Sequence, residues 1–413
     1  MLHNALGGVR VLDLSRIMAG PWCTQNLSDL GAEVIKVEGT LRGDDTRGWG
    51  PPFLDSTHES DGFSAYYIST NRGKRSIAVN FKDPAGVELL TRLARSADIV
   101  VENYRAGTLA RHGLGYDDLR AVNERLIYLS ITGFGQDGPD AAKPGYDYVF
   151  QGLGGLMSYT GLPDGTPGAM PMRTGVAVVD LMTGMYATSA VLAALHQREG
   201  TGAGQHIDLA LLDVAVALNA NQGANYLVSG EAPRRTGNAH PNCAPYEVFA
   251  TSDGHMILAI GNDTQFEHFC VVAGLAGLAS DPRFSTNAGR LRHMDELRPL
   301  LTEVIASRSR ARWGQELTAA GVPWGPINTL DDVFREPQVR HRDLVIHAAH
   351  PQFGDIPMTR NPLVRAPDLV PVAPPAHGEH TVEVLRDARY TEEEIEAMIR
   401  SGAVRQATER AVI

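Results

Sequence analysis

Short apolar runs alternate with amphipathic stretches in the N-terminal third of the chain. The apolar runs have the length of strands and lie at 9–14, 33–37, 77–81, 99–101 and 126–131. The stretches between them, notably 21–30 and 83–97, repeat apolar residues with a helical period. Strands that alternate with helices in this way predict a mostly parallel sheet covered by helices.

The first strand, helix and second strand, which closes on Glu38, have the outline of half a dinucleotide-binding fold. The turn at 15–22 lacks the glycine fingerprint of that fold. Bulky Ile17 and Met18 stand where the backbone would have to approach a pyrophosphate. The chain is therefore predicted to form a doubly wound, Rossmann-like sheet without a bound nicotinamide. Ligands of such sheets lie at the carboxyl ends of strands, here in the loops 102–111 and 132–146.

A long apolar stretch follows in the middle of the chain. Asp180 ends the apolar run 176–179 and is the only charged residue between Arg173 and His196. The next residues, to 195, follow a helical pattern that is apolar on nearly all faces, which predicts a buried helix too short to cross a bilayer. Asp180 is either the N-cap of this helix or a reactive carboxylate at its N-terminal end. Taken alone, this stretch favours the cap.

The pattern changes again beyond residue 200. A strand at 205–209 and a helix at 211–228 precede two paired strands at 246–250 and 255–260, with further helices after them. We predict a large Rossmann-like α/β domain with a smaller α+β domain. The boundaries are the large domain at 1–205, a linker helix at 206–230, the smaller domain at 231–325, and a return at 326–413 that completes the large domain with two short helices.

Composition narrows the functional classes. At 413 residues the chain exceeds what one core usually supports, and its net charge of −11 disfavours bulk binding of nucleic acid or acidic membranes. Three cysteines without a close pair, and no signal-peptide pattern, predict a cytoplasmic protein. His240 and Cys243 have a ligand-like spacing, but no second pair completes a zinc site, so no metal is predicted.

Several cations cluster around the predicted strand ends. They are Lys74, Arg75, Arg105, Arg111 and Lys143, and they flank Asn103 and Tyr104. Singly, each is more often a solvated surface charge. Together, these cations and the tyrosine ring are suited to hold a phosphorylated nucleotide. Charge-assisted contacts contribute about 1.5–3 kcal/mol each, so three or four suffice for micromolar binding.

Motifs spread over nearly the whole chain resemble the class III CoA-transferases, the family of formyl-CoA transferase, carnitine CoA-transferase and α-methylacyl-CoA racemase. They include GVRVLDLSRIMAGP, LGAEVIKVE, GDDTRGWGPPF, NRGKRSIAVNFKDPAG, VENYRAGTLARHGLGYDDL, ITGFGQDGP and GVAVVDLMTGMYA. Within the family, GPWCTQNLSDLGAEVIKVE, GLMSYTG and GVPWGPIN are most similar to the succinyl-CoA:dicarboxylate branch, typified by succinate–hydroxymethylglutarate (glutarate) CoA-transferase.

The resemblance implies a ring-shaped chain interlocked with its partner in a homodimer. It also implies that Asp180 is the nucleophile, which forms a mixed anhydride with the donor acyl group and then an aspartyl-CoA thioester. Coenzyme A and its acyl esters would enter as substrates, with no permanently bound cofactor. The helix N–H groups beside Asp180 would stabilise the oxyanion. With the resemblance added, the nucleophile interpretation of Asp180 outweighs the cap.

The resemblance also implies individual contacts. Those to CoA are Ile17, Lys74, Arg75, Asn103, Tyr104, Arg111 and Lys143; those near the acyl groups are Met18, Arg47, Tyr146, Asp147, Arg173 and His240. Two departures concern binding: Gly39 stands where the family has a nucleotide-binding arginine, leaving Arg42 as a substitute, and Met18 replaces a glutamine that contacts the acyl group. Tyr146 replaces the histidine of the racemase branch, so one of the two α-proton acid/base groups is missing.

These observations predict an enzyme that moves CoA from a donor such as succinyl-CoA to a small, dicarboxylic acid. A second carboxylate would need a cation near Asp180, for which Arg47, Arg173 and His240 are candidates. Three alternatives stay open: an α-methylacyl-CoA racemase, a non-catalytic acyl-CoA-binding protein, and a nicotinamide oxidoreductase. Exchange of CoA between a thioester and a free acid is expected only of the transferase, so it distinguishes the transferase from the first two alternatives. Titration with NADH tests the third, the oxidoreductase.

Overall fold

The computed structural model describes residues 2–54, 63–351, 353–365, 368 and 370–407. The chain divides into two compact units. The larger unit comprises Met1–Leu156, Arg173–Ala224 and Pro337–Ile413, and the smaller unit comprises Met157–Met172 and Asn225–Glu336. The segment 157–172, which the sequence assigns to the large domain, thus groups with the smaller unit.

The described strands are β1 (Arg10–Asp13), β2 (Glu33–Glu38), β3 (Lys74–Val79), β4 (Ile99–Glu102), β5 (Ile127–Thr132), β6 (His206–Ala210), β7 (Tyr246–Thr251), β8 (Gly254–Ala259), β9 (Trp324–Pro326), β10 (Val345–His350), β11 (Gly354–Thr359) and β12 (Val404–Arg405). The described α-helices are α1 (Ala19–Asp29), α2 (Ala65–Thr70), α3 (Pro84–Ala94), α4 (Tyr116–Arg120), α5 (Asp147–Leu153), α6 (Val178–Thr201), α7 (Leu211–Ala217), α8 (Ala220–Ser229), α9 (Asp263–Ala273), α10 (Ala276–Ala279), α11 (Asn287–Arg292), α12 (Met294–Ala306), α13 (Arg310–Ala319), α14 (Leu330–Arg335), α15 (Pro337–His341), α16 (Thr381–Asp387) and α17 (Glu392–Ser401).

The larger unit is built on one seven-stranded sheet in the order β12-β3-β2-β1-β4-β5-β6. Neighbouring strands are parallel except β12, which runs antiparallel to β3 at one edge. This confirms the predicted mostly parallel sheet. The strand order reverses between β1 and β4, so a crevice opens beyond their carboxyl ends, where doubly wound sheets bind ligands.

Both faces of this sheet are covered, which explains why its strands are continuous apolar runs. Alternate residues point to opposite faces: Val11 and Ile99 belong to one core cluster, and Leu12 and Val100 to the other. Helices α1 and α6 pack on the first face, and α3, α16 and α17 on the second. The two short C-terminal helices predicted near 380–388 and 391–400 are confirmed as α16 and α17.

Helix α6 is longer and less buried than its pattern predicts. At 24 residues it is long and apolar enough to cross a membrane by length and composition alone, but half of its most apolar window is buried inside the protein. It packs against α1 so closely that a side chain at Gly184 would meet the Ala19 carbonyl oxygen at 2.8 Å. Tyr186 is nevertheless 45% exposed, and Met185, whose Sδ accepts from Asn26 of α1 at 3.4 Å, is 38% exposed. The prediction of burial on nearly all faces is therefore wrong.

The stretch predicted as one helix at 211–228 is instead two helices, α7 and α8. They are interrupted between Ala217 and Ala220, where Ala220 has a φ of +41°. The smaller unit contains the antiparallel sheet β7-β8-β9 and a core of Phe249, Met256, Phe266 and Trp313. Its paired strands β7 and β8 confirm the hairpin predicted around Ser252–Gly254.

Candidate active site

A cavity of about 210 Å³ opens at the carboxyl ends of β1 and β4, within the larger unit. We call it the switch-point cavity, and the residues that line it are 16–19, 103–106, 131–133, 141, 143–146, 180 and 211. They come from the segments that follow β1, β4 and β5 and from the starts of α6 and α7. Its volume is below the roughly 300–1,000 Å³ of sites that enclose a drug-sized ligand, so it suits the reacting end of a larger molecule.

The turn after β1 forms one wall of the cavity in a strained conformation. Ile17 has a φ of +74°, a region that β-branched residues rarely occupy. Its N–H donates to the two carboxylate oxygens of Asp44 at 3.2 and 3.3 Å. Asn103 accepts from the Arg16 N–H at 2.9 Å and donates to the Arg16 carbonyl at 2.6 Å. Side chains from two other segments therefore fix this turn.

Asp180 is the third residue of α6, not its N-cap. The cap position is occupied by Ala177, which has no side-chain acceptor. Asp147, from the start of α5, supplies one instead: its Oδ2 accepts from the N–H groups of Val179 at 2.7 Å and of Asp180 at 3.2 Å. The N-cap interpretation of Asp180 is therefore wrong. Its own carboxylate has no hydrogen bond or ion pair within the described part of the chain.

The same contacts correct the expected role of the helix N–H groups. Two of the first four are taken by Asp147, and the other two donate to the carbonyls of Val176 and Ala177. They are therefore already paired, and an oxyanion beside Asp180 would have to find its donors elsewhere.

Burial sets the charge of this carboxylate. Asp180 is 8% exposed, and burial, followed by the charge of Asp147, raises its pKa from 3.8 to about 7. The positive end of α6 favours the anion but does not outweigh these effects. Burial and the charges of Asp180 and Asp147 likewise raise the pKa of Tyr66 to about 12, so that phenol stays protonated. A cavity carboxylate that ionises near neutral pH is suited to act as a base or nucleophile.

Three cations line the cavity, and they differ in how far their charge is already paired. Lys143 lies 2.6 Å from Asp140, and Arg16 lies 2.5 Å from Asp45. Arg105 is exposed, and no ion pair to it occurs in the described ranges, so its charge is available to a ligand. Arg16 is not among the contacts predicted from the sequence. Its position just after β1 was a usable signal, because the ends of parallel strands meet at one edge.

Four of the seven predicted CoA contacts meet at this cavity: Ile17, Asn103, Tyr104 and Lys143. The other three do not line it. The prediction that Lys74 and Arg75 lie on a strand-end loop is wrong, because they are the first residues of β3. The fully buried ammonium of Lys74 lies 3.1 Å from Asp13, and Arg75 pairs with Glu33 at 2.8 Å. Arg111 is exposed on a short helical turn.

The predicted acyl-site residues are also divided. Met18 and Tyr146 line the cavity, and Asp147 lies beside Asp180. Arg47 is buried and donates to both carboxylate oxygens of Glu38 at 2.7 Å, so its charge is already satisfied. The remaining two lie elsewhere: Arg173 is exposed above the ring of Tyr148 in the larger unit, and His240 stacks on Tyr246 in the smaller unit. Across the described ranges, no group of three or more His, Cys, Asp or Glu side chains is arranged to hold a metal ion.

Known proteins place this arrangement in a family. The sequence profile of CoA-transferase family III matches residues 6–381. A succinate–glutarate CoA-transferase of Agrobacterium fabrum is 48% identical over 394 residues, which cover 94% of this chain and 96% of that protein. The human succinyl-CoA:glutarate CoA-transferase is 42% identical over 406 residues, which cover 97% of this chain and 90% of that protein.

A solved structure agrees with the sequence matches. The crystal structure of a CAIB/BAIF family protein from Brucella suis superposes with a TM-score of 0.80 at 45% identity, covering 94% of this chain and all of that one. The family profile spans strands β1 to β6 of the sheet, the switch-point cavity and Asp180. The chain therefore belongs to CoA-transferase family III.

Proposed function

We propose that this protein transfers CoA from succinyl-CoA to a small dicarboxylic acid, with Asp180 as the covalent nucleophile. The observation that supports this most directly is the carboxylate of Asp180 on the wall of the switch-point cavity, which has no ion pair or hydrogen bond to any described residue. The substrate class is supported by succinate–glutarate CoA-transferases that are 42–48% identical to this chain over most of its length. Arg105, the lining cation without an ion pair in the described ranges, is available to bind a phosphate or the second carboxylate.

The exchange proceeds through four covalent steps, and in each step one bond to an acyl carbon forms as another breaks. The Asp180 carboxylate attacks the thioester carbonyl, the C–S bond breaks, and CoA leaves as a thiolate. The thiolate then attacks the Asp180 carbonyl of the mixed anhydride, which releases succinate and leaves an aspartyl-CoA thioester. The acceptor carboxylate displaces CoA from that thioester, and the thiolate finally takes the acceptor acyl group and frees Asp180.

Chemical trapping tests this proposal. Incubation with succinyl-CoA followed by hydroxylamine or borohydride is expected to modify one peptide, at Asp180, as mass spectrometry would show. The matched control is Asp213, an exposed acid in the first turn of α7, whose peptide should remain unmodified. If succinyl-CoA is exchanged while Asp180 stays unmodified, the covalent route is wrong.

The racemase alternative has weaker support. No histidine lines the switch-point cavity as described, and the cavity presents Tyr146 at the position where the racemase branch has an imidazole. A phenol does not readily supply the base that removes an α-proton at neutral pH. Loss of deuterium from an α-deuterated acyl-CoA without CoA exchange would favour the racemase.

We also propose that the working form is a homodimer, interlocked as the family resemblance implies. Helices α5, α6 and α7 contact one another and leave large apolar side chains exposed. These are Tyr148, Val149, Leu153, Met185, Tyr186 and Val216. Large apolar side chains grouped on neighbouring helices are typical of protein–protein interfaces, and a second copy of the chain would cover them.

The proposed dimer can be tested by placing charges on its apolar helix surface. The double change Val149→Arg/Leu153→Arg on α5 is expected to produce monomers or aggregates, because it places two charges on the apolar surface. Sedimentation velocity measures the outcome, with Val122→Arg, a change at an exposed apolar residue after α4, as the control. Wild-type protein that sediments as a monomer at micromolar concentration would contradict the dimer.

A further inference from the structure

The turn that forms one wall of the switch-point cavity is held by a fully buried ion pair, Lys36 with Asp44. We propose that this pair positions the cavity for acyl-CoA, by holding Ile17 in its left-handed conformation. The inference rests on the proposed function, since it assigns these two residues a part in the same transfer reaction. Neither residue lines the cavity, so both would act through Ile17.

Asp44 is the direct restraint on the turn. It is 3% exposed, and both of its carboxylate oxygens accept from the Ile17 N–H. One of them also accepts from the N–H of Thr46 at 3.0 Å and from its hydroxyl at 2.8 Å. The carboxylate therefore joins the strained turn to the next loop, and its orientation is fixed independently of Ile17.

Lys36 completes the restraint from β2. Its ammonium is fully buried and lies 2.8 Å from Asp44 Oδ2 and 3.1 Å from the carbonyl oxygen of Ser15. One charged group thus contacts both the acceptor of the Ile17 N–H and the backbone two residues before Ile17. The nearby buried acids have partners of their own, since Asp13 pairs with Lys74 and Glu38 with Arg47. Lys36 and Asp44 can therefore be neutralised together without leaving another buried charge unpaired.

Stability alone does not account for this arrangement. A turn of this shape forms most readily with glycine at the position of positive φ, and apolar residues fill a buried site at lower cost than an ion pair. The chain instead has a β-branched residue in the strained position and two buried charges to restrain it. The two buried charges are explained if the reaction needs the backbone at Ile17 held in this conformation at the cavity wall.

A mutational cycle tests the inference. The charge-free variant Lys36→Met/Asp44→Leu is expected to lose about 100-fold in kcat/KM for succinyl-CoA, because the turn is no longer held in place. Adding Ile17→Gly to this variant should restore most of the lost activity, since glycine adopts the same φ without restraint. The kcat/KM of the triple variant is then expected to lie within about 5-fold of that of Ile17→Gly alone. A purely structural pair would give no such rescue.

The controls separate positioning from folding. The matched control is Arg72→Met/Asp29→Leu, which removes another buried pair, 2.5 Å apart, whose residues do not line the cavity. It should change Tm while leaving kcat/KM within about 3-fold. If the charge-free variant fails to fold, Lys36→Gln/Asp44→Asn replaces it, because it also removes both charges but keeps polar side chains at the two positions; a smaller loss and the same rescue by Ile17→Gly are expected. The proposal is overturned if either variant folds with wild-type kcat/KM, or if Ile17→Gly gives no rescue.

Failure of the proposed function would be seen separately. A wild-type protein that transfers no CoA from succinyl-CoA contradicts the function, whatever the variants do. The same cycle is then measured as the Kd for free CoA by calorimetry. If the charge-free variant has a higher Kd and adding Ile17→Gly lowers it again, the positioning role is supported. If the Kd of the charge-free variant equals that of wild type, the positioning role is overturned.

Discussion

Replacing Asp180 by asparagine is expected to lower the rate of CoA transfer from succinyl-CoA by about 10³-fold or more. The amide keeps the size of the side chain but cannot attack the thioester, and the loss of a nucleophile is among the largest single effects known in enzymes. Binding of CoA should be retained, because among the described residues the Asp180 side chain has no hydrogen bond or ion pair that holds the cavity walls. The measurement is steady-state transfer to glutarate, with Asp213→Asn as the control. Turnover within 10-fold of wild type would contradict the nucleophile.

The thermal stability of the Asp180→Asn variant shows whether a loss of activity results from unfolding or from loss of the nucleophile. In the folded protein the pKa of Asp180 is raised from 3.8 to about 7, so between these values the native state binds more protons than the unfolded state. Stability therefore falls as pH rises from about 4 to about 7 and changes little above that range. Asparagine has no such ionisation, so the variant should melt at least as high as wild type at pH 8. A lower Tm at pH 8 would mean that the carboxylate is needed for folding.

The raised pKa also predicts the pH dependence of transfer. Only the ionised carboxylate attacks the thioester, so kcat/KM for succinyl-CoA should level off above pH 7 and fall about tenfold for each unit below it. At pH 5 the expected loss is about 100-fold.

Asp147 provides the matched variant for this profile. Asp147→Asn can still accept from the N–H groups of Val179 and Asp180 but removes a like charge beside the nucleophile. The midpoint of the profile should therefore move to lower pH. A rate that stays constant between pH 5 and 8 in both proteins would show that Asp180 does not ionise in this range.

Much of the larger unit could be predicted because its sheet is covered on both faces. The strands are short apolar runs between helices, and their observed bounds lie within a few residues of the predicted ones. The start of β3 was predicted too late in the chain. Lys74 and Arg75 have the composition of a polar loop, but they are the first two residues of the strand. A long cationic side chain can be buried when an acid such as Asp13 lies opposite it, and no local pattern shows that partner.

The role of Asp180 could not be decided locally either. Asp is a common N-cap, and the acceptor that displaces it from that role, Asp147, lies on another helix. The strained conformation of Ile17 likewise depends on Asp44 and Asn103, which are distant in sequence. For the same reason, the sequence could not show which of its cations are already paired.

The sequence alone determined the mostly parallel sheet, the edge at which the cavity opens and the candidate nucleophile, because hydrophobic periodicity and motif residues are local properties of the chain. Tertiary structure decided which acid caps α6, which arginines and lysines remain available to a ligand, and how the turn at Ile17 is held. These depend on pairing between segments that meet only in the folded protein, where burial makes the partner of each charge decisive.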